Sequence, residues 1–151
     1  MNKFSLILLI GACWLYSTSA GALSCGPPDL ERSFDSNDVV IIAEVVEVED
    51  EASVPKNSKI PRKMGELDRF KKYGLKVLEN LKGEFSESAP VYKSSYWGDY
   101  FLKGQKVVLF LKQYDGEYLV PLCSGSGGFK GLQSPKLEEL RKFSLTRGIK
   151  E

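Results

Sequence analysis

Histidine is absent from this chain of 151 residues. Its absence excludes Ser-His-Asp triads, imidazole general bases and His-ligated metal centres. Cysteine is scarce, with three residues, too few for a four-cysteine zinc site. Neither sign of charge dominates: 21 Lys and Arg face 20 Asp and Glu, a formal net charge of +1. Near-neutrality gives no electrostatic case for a nucleic-acid partner or a membrane surface. Long hydrophobic runs are missing too. The apolar stretch Phe4 to Tyr16 falls short of the roughly 20 residues that span a bilayer. There is no G-x-x-x-x-G-K-[ST] phosphate cradle, no G-x-G-x-x-G and no G-x-S-x-G nucleophile elbow. Acidic residues are plentiful, but nothing singles out a catalytic pair. Together these absences point away from an enzyme and imply neither a cofactor nor a metal of the chain's own.

What is there reads as one ordinary globular domain, 42% hydrophobic and 27% charged, behind a removable leader. Lys3 precedes the apolar run, and small residues from Ser17 to Ala22 follow it, the anatomy of a secretory signal peptide over residues 1–22. Cleavage after Ala22, at Ala20-Gly21-Ala22, matches the A-x-A form better than cleavage after Ala20. A rival is a lipoprotein-type site at Ile10-Gly11-Ala12-Cys13. The expected destination is the periplasm or the outside medium. Removing the leader leaves Cys25 and Cys123. In an exported chain the pair implies a disulfide closing a loop of about 99 residues, with two free thiols as the alternative.

Residues 23–151 carry the fold. Asp29 to Phe34 reads as a short helix, with Pro28 in its first turn. Asp38 to Glu49 is a strand whose apolar phase changes. Val39, Ile41, Ala43 and Val45 share one face, and Val46 and Val48 the other, which implies a bulge. Asp50 to Leu67 lacks periodicity and reads as a mobile loop. Strands follow over Phe70 to Leu81, Val91 to Ser95 and Lys106 to Lys112. The last holds five consecutive apolar residues and should be central. Asp115-Gly116 marks a hairpin into a strand over Tyr118 to Cys123. Ser124 to Gly131, with four glycines, reads as a flexible connector. Ser134 then caps a helix opened by Pro135, with Leu137, Leu140 and Phe143 or Ser144 as its apolar stripe. The expectation is a mainly β domain: a five-stranded OB-fold barrel with a short N-terminal and a C-terminal helix.

Charge is uneven. Residues 29–51 hold nine acidic side chains against Arg32, and residues 56–72 hold seven basic ones against Glu66 and Asp68. A solvated bipolar surface explains this, as would a steering patch. Aromatics cluster at Tyr92, Tyr96, Trp97, Tyr100 and Phe101, divided between packing and recognition.

The ordered set of pieces resembles the N-terminal domain of the tissue inhibitors of metalloproteinases and the wider netrin-type modules. Cys25-Gly26-Pro27-Pro28 looks like the family's Cys-x-Pro-Pro opening. Phe34 followed by Asp38-Val39-Val40-Ile41, Tyr73 to Gly83 ending in Leu-Lys-Gly, and Glu117 to Cys123 resemble its later landmarks. The resemblance spans about Leu23 to Phe143. It implies a secreted, non-catalytic, monomeric module that binds an extracellular or periplasmic protein. In the family the first mature residue chelates a protease's zinc through its amine and carbonyl. Carried over, the partner-binding residues are Leu23, Ser24, Cys25, Gly26, Pro27, Pro28, Tyr96, Trp97 and Gly98. Two departures stand out. Leu23 occupies the first Cys position, and Trp97 stands before Gly98 where its disulfide partner belongs. A Leu23–Trp97 contact is the expected substitute. The alternative function is a carbohydrate- or envelope-binding barrel that stacks rings on the aromatics between Tyr92 and Phe101.

Overall fold

The computed structural model describes residues 25, 27–52, 58–61, 70–95, 100–129, 131 and 134–147. The elements run α1 (Leu30–Ser36), β1 (Val39–Ala52), β2 (Phe70–Lys82), β3 (Val91–Ser94), β4 (Lys106–Tyr114), β5 (Glu117–Leu119), β6 (Gly127–Gly128) and α2 (Pro135–Arg147). β1, β2 and β3 form an antiparallel meander. β5 lies parallel to β3 and antiparallel to β4. β4 returns to β1, with Val39 opposite Leu111 and Glu44 opposite Lys106. That last seam closes a five-stranded barrel of the OB type.

β1 and β4 are buried on both faces. Val39, Ile41, Ala43 and Val45 enter the barrel interior with Val107, Leu109 and Leu111. Val40, Ile42, Val108 and Phe110 point outward beneath Phe34, Leu137 and Leu140 of the two helices. This is why both strands read as continuous apolar runs rather than alternating ones. The phase change in β1 is a register shift between Val45 and Glu47. It leaves Val46 41% exposed and returns Val48 to the interior cluster.

Lys82 and Gly83 explain how α1 is seated. The Lys82 ammonium donates to the carbonyls of Phe34 (2.7 Å), Asp35 (3.1 Å) and Asn37 (2.7 Å), which satisfies carbonyls left without partners at the helix end. Burial lowers its pKa. Gly83 has φ +69°, and a Cβ there would lie 2.4 Å from the Asp38 carbonyl oxygen, so no side chain fits. α2 opens with the Leu137 amide donating to the Ser134 carbonyl at 2.9 Å and to its hydroxyl at 3.4 Å. Arg141 ties α2 to Glu79 of β2 at 2.7 Å, and Arg147 ties it to Asp35 (2.7 Å) and Glu31 of α1.

Five expectations need correction. α1 begins at Leu30, because the Asp29 carboxylate accepts from the Arg32 amide at 3.0 Å and so caps the helix from outside; Pro28 precedes the cap. β1 continues to Ala52, and Ser58–Pro61 is docked rather than loose: Ile60 is 2% exposed. β4 runs on to Tyr114, and Asp115 (φ 51°) and Gly116 (φ 85°) make the turn. β5 ends at Leu119, and Cys123 lies in a turn at φ 59°. The glycine connector contributes a strand, since Gly127 and Gly128 pair with Val108 and Val107. Two glycines carry no side-chain pattern, so only backbone pairing reveals it.

Candidate functional site

The N-terminal ridge is built from three local devices. Cys25 is bonded to Cys123, with Cα atoms 5.3 Å apart, and both residues are exposed. Pro28 lies over Gly125, where a Cβ would come within 2.9 Å of the proline Cβ; Gly125 also has φ +78°. Asp29 then caps α1. Pro27 and Pro28 are therefore exposed and braced at both ends, with proline further limiting backbone freedom.

The platform under the ridge is fixed to the barrel. Ser124 is buried, and its hydroxyl lies 2.8 Å from that of Ser126. The Ser126 hydroxyl accepts from the Phe110 amide of β4 at 2.9 Å. The Lys136 ammonium of α2 donates to the Gly125 carbonyl at 2.7 Å, and burial lowers its pKa. Leu122, beside Cys123, is 50% exposed. Ser124, Gly125, Ser126, Lys136 and Leu122 were not singled out by sequence. The serines and glycines that follow Cys123 read as a flexible connector, not as a fixed platform, and the Lys136 contact spans two elements without any periodic signal. A shallow hollow of about 500 Å³ borders the ridge along α1, lined by Asp29, Glu31, Arg32, Asp35 and Ser36.

Of the expected partner-binding residues, Cys25, Pro27 and Pro28 share this exposed ridge. Leu23, Ser24, Gly26, Tyr96, Trp97 and Gly98 lie outside the described residues, as does the expected Leu23–Trp97 contact. The aromatic cluster divides. Tyr92 is 4% exposed and meets Phe70 edge-on with centroids 6.4 Å apart. Burial, and then Glu117, raise its pKa. Phe101 is interior, 5.3 Å from Tyr73. Tyr100 is exposed; Lys71 sits 4.1 Å over its ring, and its hydroxyl donates to the Ser95 carbonyl at 2.8 Å. Tyr92 thus offers no ring face to a sugar as the surface stands, a correction to the stacking alternative.

The two charge runs meet across β1 and β2. Lys71 pairs with Asp50, and Lys72 with Glu49 at 2.8 Å. The hydrogen bond to its carboxylate partner is the largest influence raising each lysine's pKa. Two cross-strand pairs thus neutralise part of each run where β1 and β2 lie side by side. Among the described residues, no group of three or more His, Cys, Asp or Glu could hold a metal ion, and no helix is long and apolar enough to cross a membrane. Neither the protein-family models nor the curated proteins searched match the chain.

Proposed function

We propose that the protein is a secreted, non-catalytic binding module that inhibits a zinc metalloprotease through its mature N-terminus and the Cys25–Pro28 ridge. The observation that carries this is the clamped ridge: exposed prolines held between a disulfide and a helix cap on a closed barrel. A rigid, exposed segment loses little conformational entropy on binding. The leader-like Met1 to Ala22 and the disulfide support export.

In this mechanism cleavage after Ala22 makes Leu23 the first residue, two positions before Cys25. Its α-amine and carbonyl oxygen chelate the protease's zinc. Ser24 enters the specificity pocket, and the disulfide fixes the approach. Chelation needs the neutral amine, and a free α-amine titrates at about 7.7–8.0, so inhibition strengthens as pH rises towards that range.

N-terminal sequencing of the secreted protein, followed by titration of the mature form against zinc proteases, tests the proposal. The expected result is a Leu23 start and inhibition that disappears when one Ala is added before Leu23. A Gly21 start, or inhibition indifferent to the added Ala, overturns it.

A further inference from the structure

The outer side of β2, β3 and β5 carries a separate small apolar cluster of Ile60, Phe70 and Tyr92, with Tyr114 and Leu119 at its edge. OB barrels commonly take ligands on the strand 2–3 face and the adjoining loops. Here part of the β1–β2 connection covers that face. Ile60 fills the aromatic surface at 2% exposure. The Ser58 hydroxyl donates to the Glu117 carboxylate and accepts from the Ile60 amide at 3.1 Å. The Lys59 ammonium lies 3.0 Å from the Asp115 carboxylate, with both side chains about 70% exposed (70% and 69%).

We propose that this face is a docking surface for a short peptide carrying a hydroxyl, a cationic and a bulky aliphatic residue in succession, and that Ser58–Pro61 is its intramolecular occupant. Each anchor is a side chain. Among the described residues no backbone hydrogen bond joins 58–61 to a strand, so a segment with the same side chains can replace it. Burial of one aliphatic side chain is of the same order as the entropy cost of ordering a few residues, so the attachment is readily displaced. A competitor then gains the contacts the segment gives up. Asp115 and Glu117 disfavour a polyanion and select a cationic peptide. This surface is independent of the Cys25–Pro28 ridge.

The test uses the full mature chain and a fluorescent peptide copying residues 57–62, read by anisotropy. Wild type holds its own segment in place, so the peptide competes with an intramolecular occupant. The Ile60→Ala chain should bind the peptide about tenfold more tightly, as expected when the competent state becomes the major one. A peptide with Ala in place of Ile should not bind. Lys59→Glu removes only the exposed ion pair and should give a smaller gain in the same direction; it serves if Ile60→Ala fails to fold. Equal affinity for wild type and both variants, no binding to either variant, or an oligosaccharide binding the opened face in place of the peptide overturns the proposal.

Discussion

Two short segments lie on the outside of one barrel and are held in opposite ways. Cys25–Pro28 is fastened by a covalent bridge and a proline–glycine contact while its side chains stay exposed. Ser58–Pro61 has no bridge and is fastened chiefly by burying one side chain, Ile60, with polar contacts from Ser58 to Glu117 and from Lys59 to Asp115. The first device fixes position without using apolar surface, so the surface remains free for a partner. The second uses apolar surface to fix position, so that surface is covered. Exposure at the first segment and occlusion at the second follow from the means of attachment.

The largest expected effect is removal of the bridge. Cys25→Ser with Cys123→Ser should cost about 4–5 kcal/mol in urea denaturation, the loop-entropy value for a closure near 100 residues. The buried β1–β4 seam should still form. Loss of the folded barrel in this variant would mean that the bridge holds the domain together and not merely the ridge. Next is Ile60→Ala, expected to cost about 2 kcal/mol or less, the low end for truncating a buried aliphatic side chain. The loss should appear as faster exchange of the Ile60 amide, which donates to the Ser58 hydroxyl, before global unfolding. A larger global loss would make the segment part of the core and erase the contrast.

Asp29→Ala comes third, at about 1 kcal/mol for a lost helix cap. It should loosen the ridge at the end opposite the bridge, seen as faster amide exchange at Arg32. The smallest effect is on pH dependence. Burial raises the Tyr92 pKa above its ordinary 10.0. As pH passes 10.0 the unfolded chain loses this proton first and so holds fewer protons than the folded one. Stability therefore falls with rising pH there and is fully present below it. Phenolate absorbance should show Tyr92 titrating late, and Ile60→Ala should move that titration back towards 10.0.

Much of the fold was legible because it was periodic or punctuated. The Val45–Val48 phase change marked the bulge, Asp115-Gly116 marked the hairpin, and Ser134-Pro135 marked the start of α2. What escaped lacked a local signal. Ile60 is a single apolar residue among polar neighbours, and no period announces that it docks. Gly127 and Gly128 pair through backbone alone. Lys82 acts on the end of α1 across a long stretch of chain. At the site, Cys25 and Cys123 were readable as a pair, and the prolines as a stiff opening. The support beneath them was not, because Gly125 matters through what it lacks and Lys136 through a contact between distant elements.

The β1–β4 seam also governs the order in which the chain can fold. β1 can form its hairpin with β2 early, but its other edge is completed only by Lys106 to Leu111. Until that segment arrives, Val39-Val40-Ile41-Ile42-Ala43 presents an unpaired apolar edge. Closure joins residues distant in sequence, and so does the parallel β3–β5 pair. High contact order of this kind places folding in the slow, millisecond-to-second class. Kinetic vulnerability is therefore concentrated in one strand and one interval: a nascent or refolding chain is most prone to self-association after β1 has formed and before β4 has covered it.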